Sequence, residues 1–589
     1  MRVSLFPRMG LVLFCVVLCA FGDFVVRSSF LRAATPCEEL LRLVPDSIGF
    51  CVVIQDLRSH ALAWRSSPFL EQLRRSVLTA KVHNCAQLKK LSQFESKMKE
   101  KLGFDWERLR DDLLGDAVVL AYRPGSPGQP QQEQGVILLR ARKEQILTEL
   151  ITRINKVQQE EGMLKGLWER RYNGVVYYRR LEYDKRTKRN KSPIFYYVHG
   201  PILALSAQEE MLRQVIDGDR MRPGGYGEAV RRLRELGAER ALLAVWLNPR
   251  AFDAELDAKI ANAPGERSTA IKHFARYWRA LDSVVASLSL HERDISVSLG
   301  FRACVAELPP AARRLFWEAA TVSDVWQRLP SSALLAAGSR LDGVALLDAL
   351  GGFLTPQGRR TLHATLNRSF ATLLSHEDFT GSLLPALGPD WGLCLNPPDA
   401  GTGMPCLLFA LRVNASRTKK NIDGVLLALL DFAARLIILT HNHQHPDSSM
   451  KLQTGAIHGQ DVRYLSCARG LPAGVQPAYG LLDGYLVLAS SLESINRFAN
   501  AKPQAPADAS VPLLRISFKD LRTYLMKNRP SIVQFFIERN KLSRDAARQQ
   551  VDDLLAGMHL VERAELNQRS APGQVIFTLT VQATRTLTK

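Results

Sequence analysis

The chain writes one short pattern twice. Phe195 to Asp217 reads FYYVHGPILALSAQEEMLRQVID, and Ala478 to Asn500 reads AYGLLDGYLVLASSLESINRFAN. In each, an apolar run meets a glycine-containing turn, His199-Gly200 or Asp483-Gly484, and a second apolar run leads into an amphipathic helical spacing. Glycine accepts the positive φ of a two-residue hairpin turn, so both stretches are expected to form strand, tight turn, strand and helix. Ser206 with Glu209, and Ser490 with Glu493, have the S-x-x-E spacing of a capping box, in which hydroxyl and carboxylate each hold a backbone amide at the helix entry.

Flanking motifs extend the match. Leu43-Val44-Pro45-Asp46-Ser47 opens onto the apolar run Ile48 to Ile54 and then Asp56-Leu57, while Leu329-Pro330-Ser331-Ser332 opens onto Ala333 to Ala337 and then Leu341-Asp342. Leu114-Gly115-Asp116 precedes two strands, the second from Gly135 to Arg140, and a helix from about Lys143. Leu387-Gly388-Pro389-Asp390 precedes strands Gly392 to Leu395 and Cys406 to Val413 and a long helix near Lys419 to Thr440. The pairs Pro45 and Pro330, Gly115 and Gly388, Gly174 and Gly459, and Ser206 and Ser490 keep an almost constant separation. Slippage falls where loops change length, which costs a folded chain little. The expected fold class is α+β: two diverged tandem repeats of mostly antiparallel β-hairpins with interspersed packing helices, over 43–320 and 329–589. A chain of 589 residues exceeds one ordinary core, in keeping with that division.

The amino terminus speaks to location. Arg2 and Arg8 precede the apolar run Gly10 to Gly22, which is short for a membrane span, and Ala20-Phe21-Gly22 offers small residues for cleavage before Asp23. Residues 1–22 therefore read as a signal peptide, with an uncleaved anchor over 1–26 as the alternative and the one route to a membrane. The expected location is exported: periplasmic, envelope-associated or extracellular. Of nine cysteines, Cys15 and Cys19 fall in this segment, leaving an odd seven, so at least one thiol stays free or pairs between chains. Cys394 and Cys406 sit on neighbouring expected strands, either as two buried thiols or as a bridge.

Further short motifs follow the opening strand: Trp64, Ser67-Pro68-Phe69-Leu70, Gly103-Phe104-Asp105 and Leu113-Leu114-Gly115-Asp116. Together with Leu43 to Asp46, this succession resembles a family of large exported bacterial proteins known by a domain of unknown function. The resemblance implies an envelope-associated protein and carries over no catalytic residue. The second half departs from the pattern, having Pro330-Ser331-Ser332 for Pro45-Asp46-Ser47 and no tryptophan to match Trp64.

Two clusters are candidate sites. His441, His443 and His445, with Asp447, alternate as metal ligands on one side of an extended segment would; the other reading is a solvated loop. Arg179, Arg180, Lys185, Arg186, Lys188, Arg189 and Lys191 are interleaved with Tyr177, Tyr178 and Tyr183, the mixture that contacts phosphates and stacks on bases or sugars; the other reading is a wet hairpin tip. The apolar stretch Ile422 to Leu439 reads as a largely buried core helix, with Asp431 and Arg435 one turn apart and able to pair. No phosphate-binding loop, H-E-x-x-H, C-x-x-C, nucleophile elbow or EF-hand loop occurs, and neither S-x-x-K match, at Ser96 or Ser416, has a K-T-G partner.

A composition of 46% hydrophobic and 23% charged residues is that of a globular chain, and a formal charge of +20 favours anionic partners. The expected function is a non-enzymatic binding or structural protein of the bacterial envelope, without a cofactor. Its partner is an anionic envelope polymer or another envelope protein. The alternatives are an exported hydrolase or metalloenzyme whose site is assembled from distant residues, and a binder of anionic polymer or nucleic acid.

Overall fold

The structure, a computed structural model, describes residues 35–76, 93, 95–96, 98–185, 187–221, 227–317, 320–371, 379–398, 403–414, 421–467, 471, 474–501 and 510–585. The segment 1–26, Cys85, Arg186 and Ser416 lie outside the described residues. The chain divides into two units. Unit 1 takes the residues up to Ala261, Leu281–Cys304 and the end from Ala583; unit 2 takes Asn262–Ala280 and Val305–Gln582. Both are α+β, with helices packed on antiparallel strands.

Unit 1 begins with α1 (Pro36–Arg42), whose entry is a full capping box: Thr35 Oγ1 accepts from the Glu38 amide at 3.2 Å, and the Glu38 carboxylate accepts from the Thr35 amide at 3.0 Å. Strand β1 (Phe50–Gln55) follows, then α2 (Leu57–Arg65), α3 (Pro68–Arg75), β2 (Ala117–Arg123), β3 (Gln134–Arg140) and α4 (Glu144–Glu160). Next come β4 (Leu164–Tyr172), β5 (Val175–Asp184), β6 (Ile194–His199), β7 (Ile202–Ser206), α5 (Glu209–Met221), α6 (Glu228–Glu235), β8 (Leu243–Leu247), β9 (Leu281–Leu290) and β10 (Asp294–Ala303). Paired neighbours run β4-β5-β6-β7-β3-β2-β1-β8-β9-β10, all antiparallel. The apolar residues that alternate along these strands meet those of α2 and α4 in a core that includes Ile54, Leu57, Phe104, Val118, Leu139, Leu147 and Leu203.

Unit 2 holds α7 (Gly265–Ala280), which lies within the bounds expected for the first repeat, and α8 (Pro310–Trp317). It continues with β11 (Leu335–Arg340), α9 (Gly343–Gly351), α10 (Pro356–Ala371), β12 (Leu387–Asn396), β13 (Cys406–Val413), α11 (Ile422–Gln444), β14 (Met450–Ile457) and β15 (Gln460–Cys467). After these come β16 (Ala478–Leu482), β17 (Tyr485–Ala489), α12 (Leu492–Asn500), β18 (Val511–Ser517), α13 (Phe518–Lys527), α14 (Arg529–Asn540), α15 (Arg544–His559), β19 (Val561–Ala571) and β20 (Gln574–Ala583). Its pairing order is β14-β15-β16-β17-β13-β12-β11-β18-β19, again antiparallel. Position for position, this is the order from β4 to β9 in unit 1.

Local chemistry corrects several expectations. The first hairpin turn is Gly200-Pro201, since His199 already pairs with Ile202; Gly200 has φ +53° in the first central position. The second is Asp483-Gly484, both at positive φ, +50° and +77°. Neither S-x-x-E forms a capping box. Ser206 ends β7 and donates to the Gly135 carbonyl at 2.8 Å, while Glu209 faces Tyr177, Arg170 and Arg213. Ser490 accepts from the Leu407 amide at 2.8 Å, and the cap of α12 passes to Ser491, which accepts from Ser494. The neighbouring strand takes the acceptor of Ser490, while Ser206 Oγ accepts from the Gln208 amide at 3.1 Å, one residue short of the capping-box position.

The long helix also differs from expectation. Only Ile422, Leu426 and Ala434 of α11 are buried, whereas Phe432, Leu436 and Leu439 are 54%, 55% and 70% exposed. It packs by one side on Met450, Leu465 and Tyr479, so it is a surface helix rather than a buried one. Asp431 takes Arg463 (2.5 Å) and the Tyr479 hydroxyl (2.7 Å) as partners instead of Arg435. No described helix is long and apolar enough to cross a membrane. Cys394 and Cys406 are buried and unbridged; they pair with Leu408 and Asn396, two register positions apart.

Candidate anion-binding cleft

The opening motif of unit 1 becomes a loop between α1 and β1, pinned at both ends. The Leu43 and Val44 amides donate to the Leu40 and Leu41 carbonyls at 3.0 and 3.3 Å, and the Gly49 amide donates to the Tyr122 carbonyl at 2.7 Å. Gly49 is obligatory for close packing: a Cβ there would lie 2.8 Å from Pro124 Cδ and 2.9 Å from the Phe252 ring. Helix α5 passes behind the loop, where the Gly218 backbone meets the backbone of Arg42 and Leu43.

These segments enclose a cleft of about 510 Å³ lined by Arg42 through Ser47, Arg123 from the end of β2, and Gln214, Asp217 and Gly218 from α5. The volume falls in the range of roughly 300–1,000 Å³ that small-molecule sites occupy. Arg123 is its chemical centre. The guanidinium donates to Gln134 Oε1 at 2.9 Å, to Gln214 Oε1 at 3.0 Å and to Ser47 Oγ. All three partners are neutral, and the cation is half-buried. Burial lowers the Arg123 pKa from its ordinary value, with the charge of Glu210 acting the other way. A cation taken from water without a bound carboxylate is a ready partner for an anion. One turn along α5 from Gln214, Asp217 is fixed by the Tyr172 hydroxyl at 3.0 Å and Asn173 Nδ2 at 2.9 Å, so the cleft presents fixed groups of both signs.

The two clusters singled out from sequence fare differently. Helix α11 runs through His441 and His443, so the two are not the alternate residues of an extended segment; helical geometry turns them about 200° apart. Asn442 seals this helix end by exchanging hydrogen bonds with the Met450 backbone, donating at 3.1 Å and accepting at 2.6 Å. His445 caps the helix with its ring 4.9 Å from that of His441. Among the described residues no group of three or more His, Cys, Asp or Glu side chains is placed to hold a metal ion. His441 Nε2 is 3.5 Å from Cys467 Sγ, but the same nitrogen is 3.1 Å from the Ser448 carbonyl, which only accepts. The nitrogen therefore carries a proton and cannot act as the base for the thiol.

In the basic cluster, Arg180 is buried against Asn155, Gln158 and Glu182, Lys191 pairs with Glu182 at 2.8 Å, and Arg179 lies over the Trp168 ring at 5.2 Å. Lys185 and Lys188 on the turn after β5, and Arg189 on the short strand that pairs back with Asp184, remain exposed. The cluster thus separates into structural cations and a wet tip. Arg42, Arg123, Gln214 and Asp217 were not legible as a site. Their one sequence signal was the Leu43 to Ser47 motif itself.

No family model matches this sequence, and no curated protein matches it. Solved structures of TP0453 are similar at a low level: crystal form IV has a TM-score of 0.22 and 11% identity over 44% of this chain and 79% of that one. Form I has a TM-score of 0.21 and 13% identity over 48% and 86%. A likeness of that degree carries no inference about fold or function.

Proposed function

We propose that the protein is an exported, non-enzymatic binding protein of the bacterial envelope, built from two diverged copies of one α+β unit, which holds an anionic group of its ligand in the unit 1 cleft. The observation that carries the reading is Arg123: a half-buried guanidinium in a cleft of small-ligand size, held by neutral partners from three separate segments. The duplication is supported by the shared strand order and by matching turns, Asn173-Gly174 and His458-Gly459 both having positive φ at the two central positions. Export rests on the amino-terminal residues, and mass spectrometry of the mature protein tests it: a start at Asp23 supports cleavage.

Titration calorimetry with inorganic phosphate tests the binding reading. Wild type is expected to show one saturable site, weakened roughly tenfold to a hundredfold by Arg123→Gln, as loss of a charge-assisted hydrogen bond worth about 1.5–3 kcal/mol requires. Reversal of charge at Lys185, Lys188 and Arg189 will leave that site unchanged. Equal affinity in Arg123→Gln, or loss on changing the exposed tip, would refute the assignment.

A further inference from the structure

Unit 2 contains a second cleft, of about 480 Å³ and of different chemistry. Its walls are α8 and α9, and its floor is made by Val511 and Leu513 of β18 with Phe577 of β20. Five alanines line it: Ala311 and Ala312 from α8, Ala345 and Ala349 from α9, and Ala320. Methyl groups at these positions leave open a trough that larger side chains would close. Leu315, Leu341 and Leu346 also line it and are 38%, 47% and 42% exposed, so apolar surface continues from the trough onto its rim.

The polar groups occur at defined places. Arg314 pairs with Asp342 at 3.3 Å; Asp342 is itself engaged at the start of α9, accepting from the Val344 and Ala345 amides. Arg340 donates to Thr321 Oγ1 at 2.6 Å and lies 3.3 Å from Asp390. The rim therefore carries two guanidinium groups, each beside an aspartate, which offer N–H donors to a head group. Tyr277 enters from α7, which His273 holds against α9 through the Ala349 carbonyl at 3.2 Å and the Phe353 ring. Its hydroxyl is shielded from solvent and has no hydrogen-bond partner among the described residues. A buried phenol ordinarily finds an acceptor.

We infer that this cleft binds a single-chain anionic amphiphile, a long-chain carboxylate, with the tail along the alanine-lined trough and the carboxylate at the arginine rim. Four features converge on that chemistry: apolar walls, small side chains, a rim of guanidinium donors and an unpartnered hydroxyl. The inference stands on unit 2 alone and is independent of the Arg123 cleft.

Calorimetric titration of delipidated whole protein with oleate, below the concentration at which it forms micelles, tests it. One saturable site per chain is expected, with an uncharged alcohol of the same chain length binding at least tenfold more weakly. Ala345→Phe fills the trough and removes binding. Tyr277→Phe weakens it threefold to tenfold while leaving the melting temperature in place, because the hydroxyl loses no internal partner. Should Ala345→Phe fail to fold, Tyr277→Phe and Arg314→Gln decide the matter. Uptake that climbs past one oleate per chain, equal affinity for the alcohol, or unchanged binding in the folded variants would overturn the assignment.

Discussion

Replacing Asp431 by alanine removes the carboxylate that ties α11 to the strands beneath it. Tyr479 is only 7% exposed, and its hydroxyl donates to Asp431 Oδ1 at 2.7 Å; without that acceptor it is left unpaired in the core, at a cost of about 1–3 kcal/mol. Arg463 loses an ion pair in which both side chains are about a quarter exposed, which adds about 1 kcal/mol. The expected total is about 2–4 kcal/mol. With a urea m-value of about 3 kcal/mol/M, the unfolding midpoint of unit 2 falls by roughly 1 M. Asp431→Asn keeps an acceptor for Tyr479 and will lose about half as much. Asp431→Ala combined with Tyr479→Phe will cost less than the sum of the two, because no hydroxyl is then left unpaired. Arg435→Ala is expected to change stability by less than about 0.5 kcal/mol, since Arg435 is exposed on the helix. If Arg435→Ala proves as costly as Asp431→Ala, the side chain has been assigned the wrong partner and the reasoning fails.

Other outcomes follow from burial and titration. Leu439→Ser will cost less than about 1 kcal/mol in denaturant titration, because the side chain is 70% exposed, whereas a buried leucine would cost about 2–5 kcal/mol. Burial pushes the thiols of Cys37 and Cys394 up to about 12 and about 11 from 9.0. Above pH 9 the unfolded chain releases these protons while the folded chain keeps them, so stability will fall by about 1.4 kcal/mol per pH unit per thiol until the folded pKa is reached. Cys394→Ala will reduce that slope, as equilibrium unfolding between pH 8 and 10.5 can show. A thiol reagent at pH 8 will modify exposed Cys304 quickly in the native protein and leave Cys37, Cys51 and Cys394 unreacted until it unfolds.

The parts legible in the sequence were those decided locally. Apolar runs broken by Gly200 and Gly484 gave hairpins, because few residues satisfy the backbone such turns need. What neighbours decide was not legible. Ser206 and Ser490 have capping-box spacing, yet Ser206 accepts from the Gln208 amide while donating to Gly135, and the Leu407 amide on the adjacent strand takes Ser490. The extension of α11 through the histidines depends on Asn442 meeting Met450, and its exposed apolar side depends on which face the strands cover. The Arg123 cleft lay furthest from view: Ser47, Gln134 and Gln214 converge on one guanidinium only after β1, β2 and β3 have paired and α5 has packed behind them. A single arginine ending an apolar strand carries no mark of that assembly.

Crystals of the intact wild-type protein soaked with phosphate put the central claim to the most direct trial. The account predicts an anion within about 3 Å of the Arg123 guanidinium, bounded by the Pro45 to Ser47 loop, and its disappearance in Arg123→Gln crystals. An empty cleft at saturating phosphate, or an anion bound equally well without Arg123, would contradict it.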